Sequence, residues 1–238
     1  MSKQKKIIRI AVLAVTGILI IGFGGFYIYT LDFYRADADA LALLSAENVS
    51  TDNNGNITIV TAQNMPDKPV GLIFYPGGKV EAAAYLPLLY MLSEQGITCV
   101  LVKMPFNLAV FDINAADKVY GKLPDIQTWY LAGHSLGGAM ASSYAGSKAD
   151  KLRGLILLGA YPINDAKVTT LAVYGSEDKG LDREKLDAAD NKIEIAGGNH
   201  AYFGNYGEQR GDGTATISRE DQQEQAVEAI ISFIHSTD

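Results

Sequence analysis

Cysteine occurs once, at Cys99, so no disulfide closes within the chain and a cross-linked scaffold is excluded. Histidine occurs only three times, and with a single thiol that is a poor ligand set for a conventional zinc site. Positive charge is short as well. Against 27 Asp and Glu stand 20 Lys and Arg, a formal net charge of -7, which lacks the basic face that nucleic acid requires. No internal repeat or low-complexity linker breaks the chain into small modules. What is present is an ordinary apolar content, 48% of 238 residues, enough for one substantial core. The mean hydropathy of +0.06 is nonetheless high for a soluble protein, so part of that apolar content belongs outside a globular core.

The excess sits at the N-terminus. Lys3, Lys5, Lys6 and Arg9 precede an uncharged run from Ile10 to Leu31, and no acidic residue occurs before Asp32. As a helix this run measures about 33 Å, enough to cross a hydrocarbon core of about 30 Å. Phe26, Tyr27, Tyr29, Phe33 and Tyr34 mark its far end, residue types that suit a membrane–water boundary. A cleavable signal peptide has a shorter apolar stretch with a small-residue site directly behind it. Ala36-Asp37-Ala38 and Ala38-Asp39-Ala40 have that spacing but lie well past the apolar end. The expectation is an uncleaved, single-pass anchor over residues 1–31. Its basic end faces the cytoplasm, and the remainder is extracytoplasmic at the cell membrane. That remainder carries 16 basic against 27 acidic groups, net -11, and is an acidic body on a basic-ended tether.

Residues 32–50, rich in Ala and Leu, are expected as a juxtamembrane helical segment, and 51–238 as the folded domain. Asn54-Gly55 is a hairpin-turn signal. Asn48-Val49-Ser50 and Asn56-Ile57-Thr58 fit the glycosylation pattern. Short apolar runs then alternate with helical patterns. Strands are expected at Ile57–Thr61, Val70–Tyr75, Thr98–Lys103, Trp129–Ala132, Gly154–Leu158, Leu171–Tyr174 and Ile193–Ala196. Helices are expected around Tyr85, Leu88, Leu89 and Leu92, over Asn114–Tyr120, after Ser135, and over Arg219–Ile234 behind a Ser218/Asp221 capping box. Near-continuously apolar strands alternating with helices imply an α/β fold, a mostly parallel sheet with helices on both faces.

In such sheets ligands bind beyond the carboxyl ends of the strands. One strand-to-helix turn there reads Gly133-His134-Ser135-Leu136-Gly137-Gly138, the G-x-S-x-G pattern of a nucleophile elbow. A serine hydroxyl needs a base. His134 is directed elsewhere by the turn and His235 lies near the C-terminus, which leaves His200 after the last strand. Asp178, in the turn after Leu171–Tyr174, is the acid to orient it, with Glu177 the nearest competitor. Developing negative charge calls for backbone donors. The amide of Leu136 is one; the other belongs to Pro76-Gly77-Gly78-Lys79, with Gly78 first and Lys79 second.

These residues in this order resemble the α/β-hydrolase superfamily over Val70–Ile234. Tyr75-Pro76-Gly77-Gly78-Lys79-Val80, Gly133–Gly138 and Gly197-Gly198-Asn199-His200-Ala201 are similar to the small bacterial, often membrane-anchored hydrolases related to dienelactone hydrolase. The resemblance implies Ser135 as nucleophile, Asp178 as acid and His200 as base. It also implies a serine hydrolase acting on a small-molecule ester or thioester, without cofactor or metal. Two departures stand out. Dienelactone hydrolase uses a cysteine where this chain has Ser135, and many superfamily members carry His-Gly where this chain has Pro76-Gly77. Ala160–Thr169 is too short for a lid, so an open cleft is expected. Tyr202, Phe203 and Tyr206 either line a pocket or pack their loop onto the body. An acyltransferase or peptidase with the same triad, and a non-catalytic surface binding protein of this fold, are the alternatives.

Overall fold

The computed structural model describes residues 3–63, 67–165 and 167–237; Met1, Ser2 and Asp238, at the ends of the expected segments, and Ala166 lie outside the described residues. It divides into two compact units, Met1–Phe33 and Tyr34–Asp238. The first is α1, Lys3–Leu31, a single helix of 29 residues. Most of its described apolar side chains are exposed, Ile21 to 76%, and it is long and apolar enough to cross a membrane.

The second unit is built on a sheet of eight strands in the order β1-β2-β4-β3-β5-β6-β7-β8. These are β1 Val49–Thr51, β2 Ile57–Val60, β3 Val70–Tyr75, β4 Ile97–Val102, β5 Thr128–His134, β6 Gly154–Leu158, β7 Thr170–Gly175 and β8 Asn191–Ile195. β2 alone runs against the rest, antiparallel to both β1 and β4; β3 to β8 are mutually parallel. Alternation along β3 shows how the two faces are covered. Leu72 and Phe74 join one core with Leu88 and Leu89 of α3 (Leu86–Glu94) and Ile230 of α5 (Arg219–Thr237). Ile73 and Tyr75 join the other with Ala141 and Tyr144 of α4 (Leu136–Lys148). All six residues of β3 are buried because both faces are covered.

Three expectations change. Asn114–Tyr120 is not an α-helix but contributes to two 3-10 turns, Ala115–Lys118 and Tyr120–Lys122. The Tyr75 hydroxyl takes the Ala116 N–H at 2.8 Å and donates to the Ile113 carbonyl at 2.9 Å, and so short a segment cannot recover the cost of helix nucleation. Within 32–50, helix is confined to α2, Ala38–Ala42, with the Asp37 side chain on the Ala40 N–H, and a 3-10 turn at Leu43–Ser45. The unanticipated β1 then pairs with β2 through the expected Asn54-Gly55 turn, where Gly55 has φ 67°. Residues 34–50 therefore belong to the folded unit. Tyr34 N–H donates to the Lys79 carbonyl and Glu81 N–H to the Tyr34 carbonyl, both at 2.8 Å, and Asp37 N–H reaches the Asn205 carbonyl at 2.9 Å.

The described residues between β6 and β7 form no helix. The α5 capping box closes in both directions, Asp221 N–H to Ser218 Oγ at 3.0 Å and Ser218 N–H to Asp221 Oδ2 at 3.4 Å. Ser218→Ala is expected to cost about 1 kcal/mol. Thermal unfolding should register that as a Tm lower by about 2–4 °C.

Candidate active site

The turn from β5 into α4 places Ser135 at φ 53° and ψ -121°, a region L-residues occupy only under constraint. Two backbone bonds hold it there, Ser135 N–H to the Leu158 carbonyl and Ala139 N–H to the Ser135 carbonyl, both at 3.0 Å. The flanking glycines are required by contact. A Cβ on Gly133 would lie 2.6 Å from the Gly137 carbonyl carbon, and one on Gly137 would run into the carbonyl oxygens of Tyr75 and Pro76. The serine, half-buried, thus stands at the carboxyl edge of the sheet, directly above β5.

His200 and Asp178 meet at that edge. His200 Nδ1 and Asp178 Oδ2 are 2.7 Å apart, with both side chains almost wholly buried. Asp178 Oδ1 also accepts from the Gly180 N–H at 2.9 Å. A carboxylate only accepts, so the histidine donates from Nδ1 and keeps its Nε2 lone pair. Glu177 bonds instead to Ser176 Oγ at 3.1 Å and is not the histidine's partner. His235 is exposed on the last turn of α5. Pair and serine adjoin one point of backbone. Leu158 carries the carbonyl that fixes Ser135, and a Cβ on the next residue, Gly159, would stand 3.0 Å from His200 Nδ1 and 3.3 Å from Asp178 Oδ2. Ser135 Oγ itself makes no hydrogen bond among the described residues. Nucleophile–base contacts are often long without substrate.

Leu136 opens α4, so its N–H has no intrahelical acceptor. Gly78 packs against it, a Cβ there lying 2.8 Å from Leu136 Cδ2, and its N–H is likewise without an acceptor among the described residues. Lys79 is the correction. Its N–H donates to the Asn107 carbonyl at 2.8 Å and is not available to an oxyanion.

A sequence model described as Alpha/beta hydrolase family matches residues 71–224. The chain belongs to the Alpha/beta hydrolase family. No curated protein matches it. Among solved structures, Est1E from Butyrivibrio proteoclasticus is similar at 18% identity and TM-score 0.56, over 79% of this chain and 100% of that one. A monoacylglycerol lipase from Paleococcus ferrophilus is similar at 13% identity and TM-score 0.56, over 76% and 98%. A membrane phospholipase A is similar at 12% identity and TM-score 0.52, over 96% and 99%. At these identities the likeness is one of fold. The narrower kinship with dienelactone hydrolase stays a resemblance.

Several residues of this family member outside the expected set support the site. Gln222, on α5, accepts the Asn199 N–H at 2.9 Å and donates to the Asn199 carbonyl at 2.8 Å, gripping the residue before the histidine. Gln222 and Gln223 are both buried, and paired glutamines on the inner face of an amphipathic helix are a readable trace of such a role. His134 bonds to the Tyr85 hydroxyl at 2.8 Å and to the His200 carbonyl at 3.0 Å. Phe203 and Tyr206 are buried, and Tyr206 packs near Tyr34 and Tyr85, so this loop is packed onto the body.

Burial, and then the charge His200 can carry, hold the His134 imidazole well below its ordinary pKa. The folded state thus binds fewer protons than the unfolded one below about pH 6.5. Above that pH His134 leaves stability unchanged. Below it the fold loses about 1.4 kcal/mol for each pH unit until the folded-state value is reached. Urea unfolding followed by Trp129, the single tryptophan, should show this slope in the wild type and a shallower one in His134→Gln.

Proposed function

We propose that this chain is a serine hydrolase that cleaves an ester or thioester through an acyl-enzyme intermediate. The observation that carries the reading is the buried Asp178–His200 pair, joined at 2.7 Å and set beside a serine in strained elbow geometry. Ser135 Oγ attacks the substrate carbonyl as His200 Nε2 takes its proton. The amides of Gly78 and Leu136 receive the charge on the carbonyl oxygen, and Asp178 steadies the imidazolium. His200 returns the proton to the departing alkoxide or thiolate. Water, activated by the same imidazole, then frees the acid and restores Ser135.

An ester is favoured by the company of the fold. The similar structures include an Est1E with ferulic acid bound and a monoacylglycerol lipase, statements about those proteins that give this reading its substrate class. Hydrolysis is favoured over acyl transfer because the described residues between β6 and β7 form no helix over the sheet edge and Ser135 is half-buried rather than sealed from water. The Lys3, Lys5, Lys6 and Arg9 end keeps α1 in the cell membrane with its N-terminus cytoplasmic, which puts the hydrolase outside.

A fluorophosphonate probe on the full chain tests the reading. Wild type is expected to label at Ser135 and Ser135→Ala not at all. Asp178→Asn should lower turnover of a p-nitrophenyl ester about 10³–10⁴-fold. Equal labelling of wild type and Ser135→Ala would remove the serine from the chemistry.

A further inference from the structure

Behind the nucleophile runs a single line of buried hydrogen bonds. Gly77 N–H donates to Tyr85 Oη at 3.0 Å, Tyr85 Oη meets His134 Nδ1 at 2.8 Å, and His134 Nε2 meets the His200 carbonyl oxygen at 3.0 Å. Tyr85 and His134 are both 0% exposed. The proton order follows from which groups can only accept. A carbonyl oxygen has no proton, so His134 donates from Nε2. Its Nδ1 then carries a lone pair and takes the Tyr85 proton, and the Tyr85 oxygen accepts from Gly77. With neutral groups no other arrangement satisfies every atom.

The ends of this line matter. It starts in the loop that presents Gly78, passes through the neighbour of Ser135, and finishes on the backbone of the base. We propose that Tyr85 and His134 are positioning residues of the site, holding the Gly78 amide and the His200 imidazole in fixed register with Ser135. The proposal rests on the serine hydrolase reading of Ser135, Asp178 and His200.

Two further observations support a geometric role. A Cβ on Gly77 would lie 2.7 Å from Tyr85 Oη and 2.8 Å from His134 Nδ1, so the loop is pressed onto the pair with no slack. The surroundings are aromatic, with Phe74 at 4.9 Å from the Tyr85 ring and Phe203 at 5.7 Å from the His134 ring. Apolar side chains would fill this space without the cost of burying polar groups. What they would not provide is a directional link from oxyanion loop to base. Asp178 holds the His200 ring and Gln222 grips Asn199, but neither reaches the loop at Gly77.

Steady-state kinetics of the full chain on p-nitrophenyl acetate, each variant assayed well below its Tm, tests this. Tyr85→Phe removes one oxygen and keeps the ring. It is expected to lower kcat about 100-fold with KM within about twofold, because misplacement by a fraction of an ångström is felt chiefly in the transition state. His134→Leu should lose as much or more. His134→Gln, which returns an amide donor near the Nε2 position, should recover about tenfold over His134→Leu. A purely structural role predicts instead that activity tracks Tm, with no recovery by glutamine beyond that in stability. Wild-type kcat in folded Tyr85→Phe, or His134→Gln no better than His134→Leu, would overturn the proposal. Should His134→Leu fail to fold, Tyr85→Phe alone decides. An active Ser135→Ala chain would overturn the hydrolase reading itself, whatever the other variants do.

Discussion

The site depends on one contact between two stretches of backbone. Where β5 turns into α4, Gly137 lies so close to the carbonyl oxygens of Tyr75 and Pro76 that no side chain fits between them. That approach brings the end of β3 against the start of α4, and three consequences follow. Ser135 is forced into its positive φ, Leu136 presents the first free N–H of the helix, and Gly78 lies against Leu136. A candidate nucleophile and two candidate oxyanion donors thus arise from the packing of one turn on one strand end. The strain at Ser135 is offset by the parallel sheet that anchors both sides of the turn.

The other half of the candidate site is carried by β7 and β8. Their exits deliver Asp178 and His200 to the same edge, and burial makes their pairing specific, since a carboxylate and an imidazole removed from water must satisfy each other. α5 adds Gln222 beneath the histidine loop. Support for His200 therefore comes from the C-terminal helix, and support for Ser135 from the central strands.

Much of this was legible from residues alone, and the reason is local. β3 and β6 begin and end where Val70–Tyr75 and Gly154–Leu158 were expected, because uninterrupted apolar runs between turn residues mark strands buried on both faces. With three histidines and one elbow, position along the chain nearly determines which residues meet. Features set by distant partners were not legible. Residues 114–120 carry helical spacing, but a hydroxyl from Tyr75 claims their backbone. Lys79 reads as an oxyanion donor until the Asn107 carbonyl takes its N–H. Tyr85 reads as an apolar helix marker and His134 as a bystander, for their partners lie 49 and 66 residues apart in sequence.

The high hydropathy that the sequence carries resides in α1, and what remains is a domain of the Alpha/beta hydrolase family whose described residues between β6 and β7 form no helix. The most direct measurement is a rapid-quench experiment with a p-nitrophenyl ester, followed by mass mapping of the full chain. One equivalent of nitrophenolate per chain should appear in a burst, with the acyl mass on the peptide containing Ser135. Steady turnover of the wild type with no burst, together with no acyl mass or one on another residue, would contradict it.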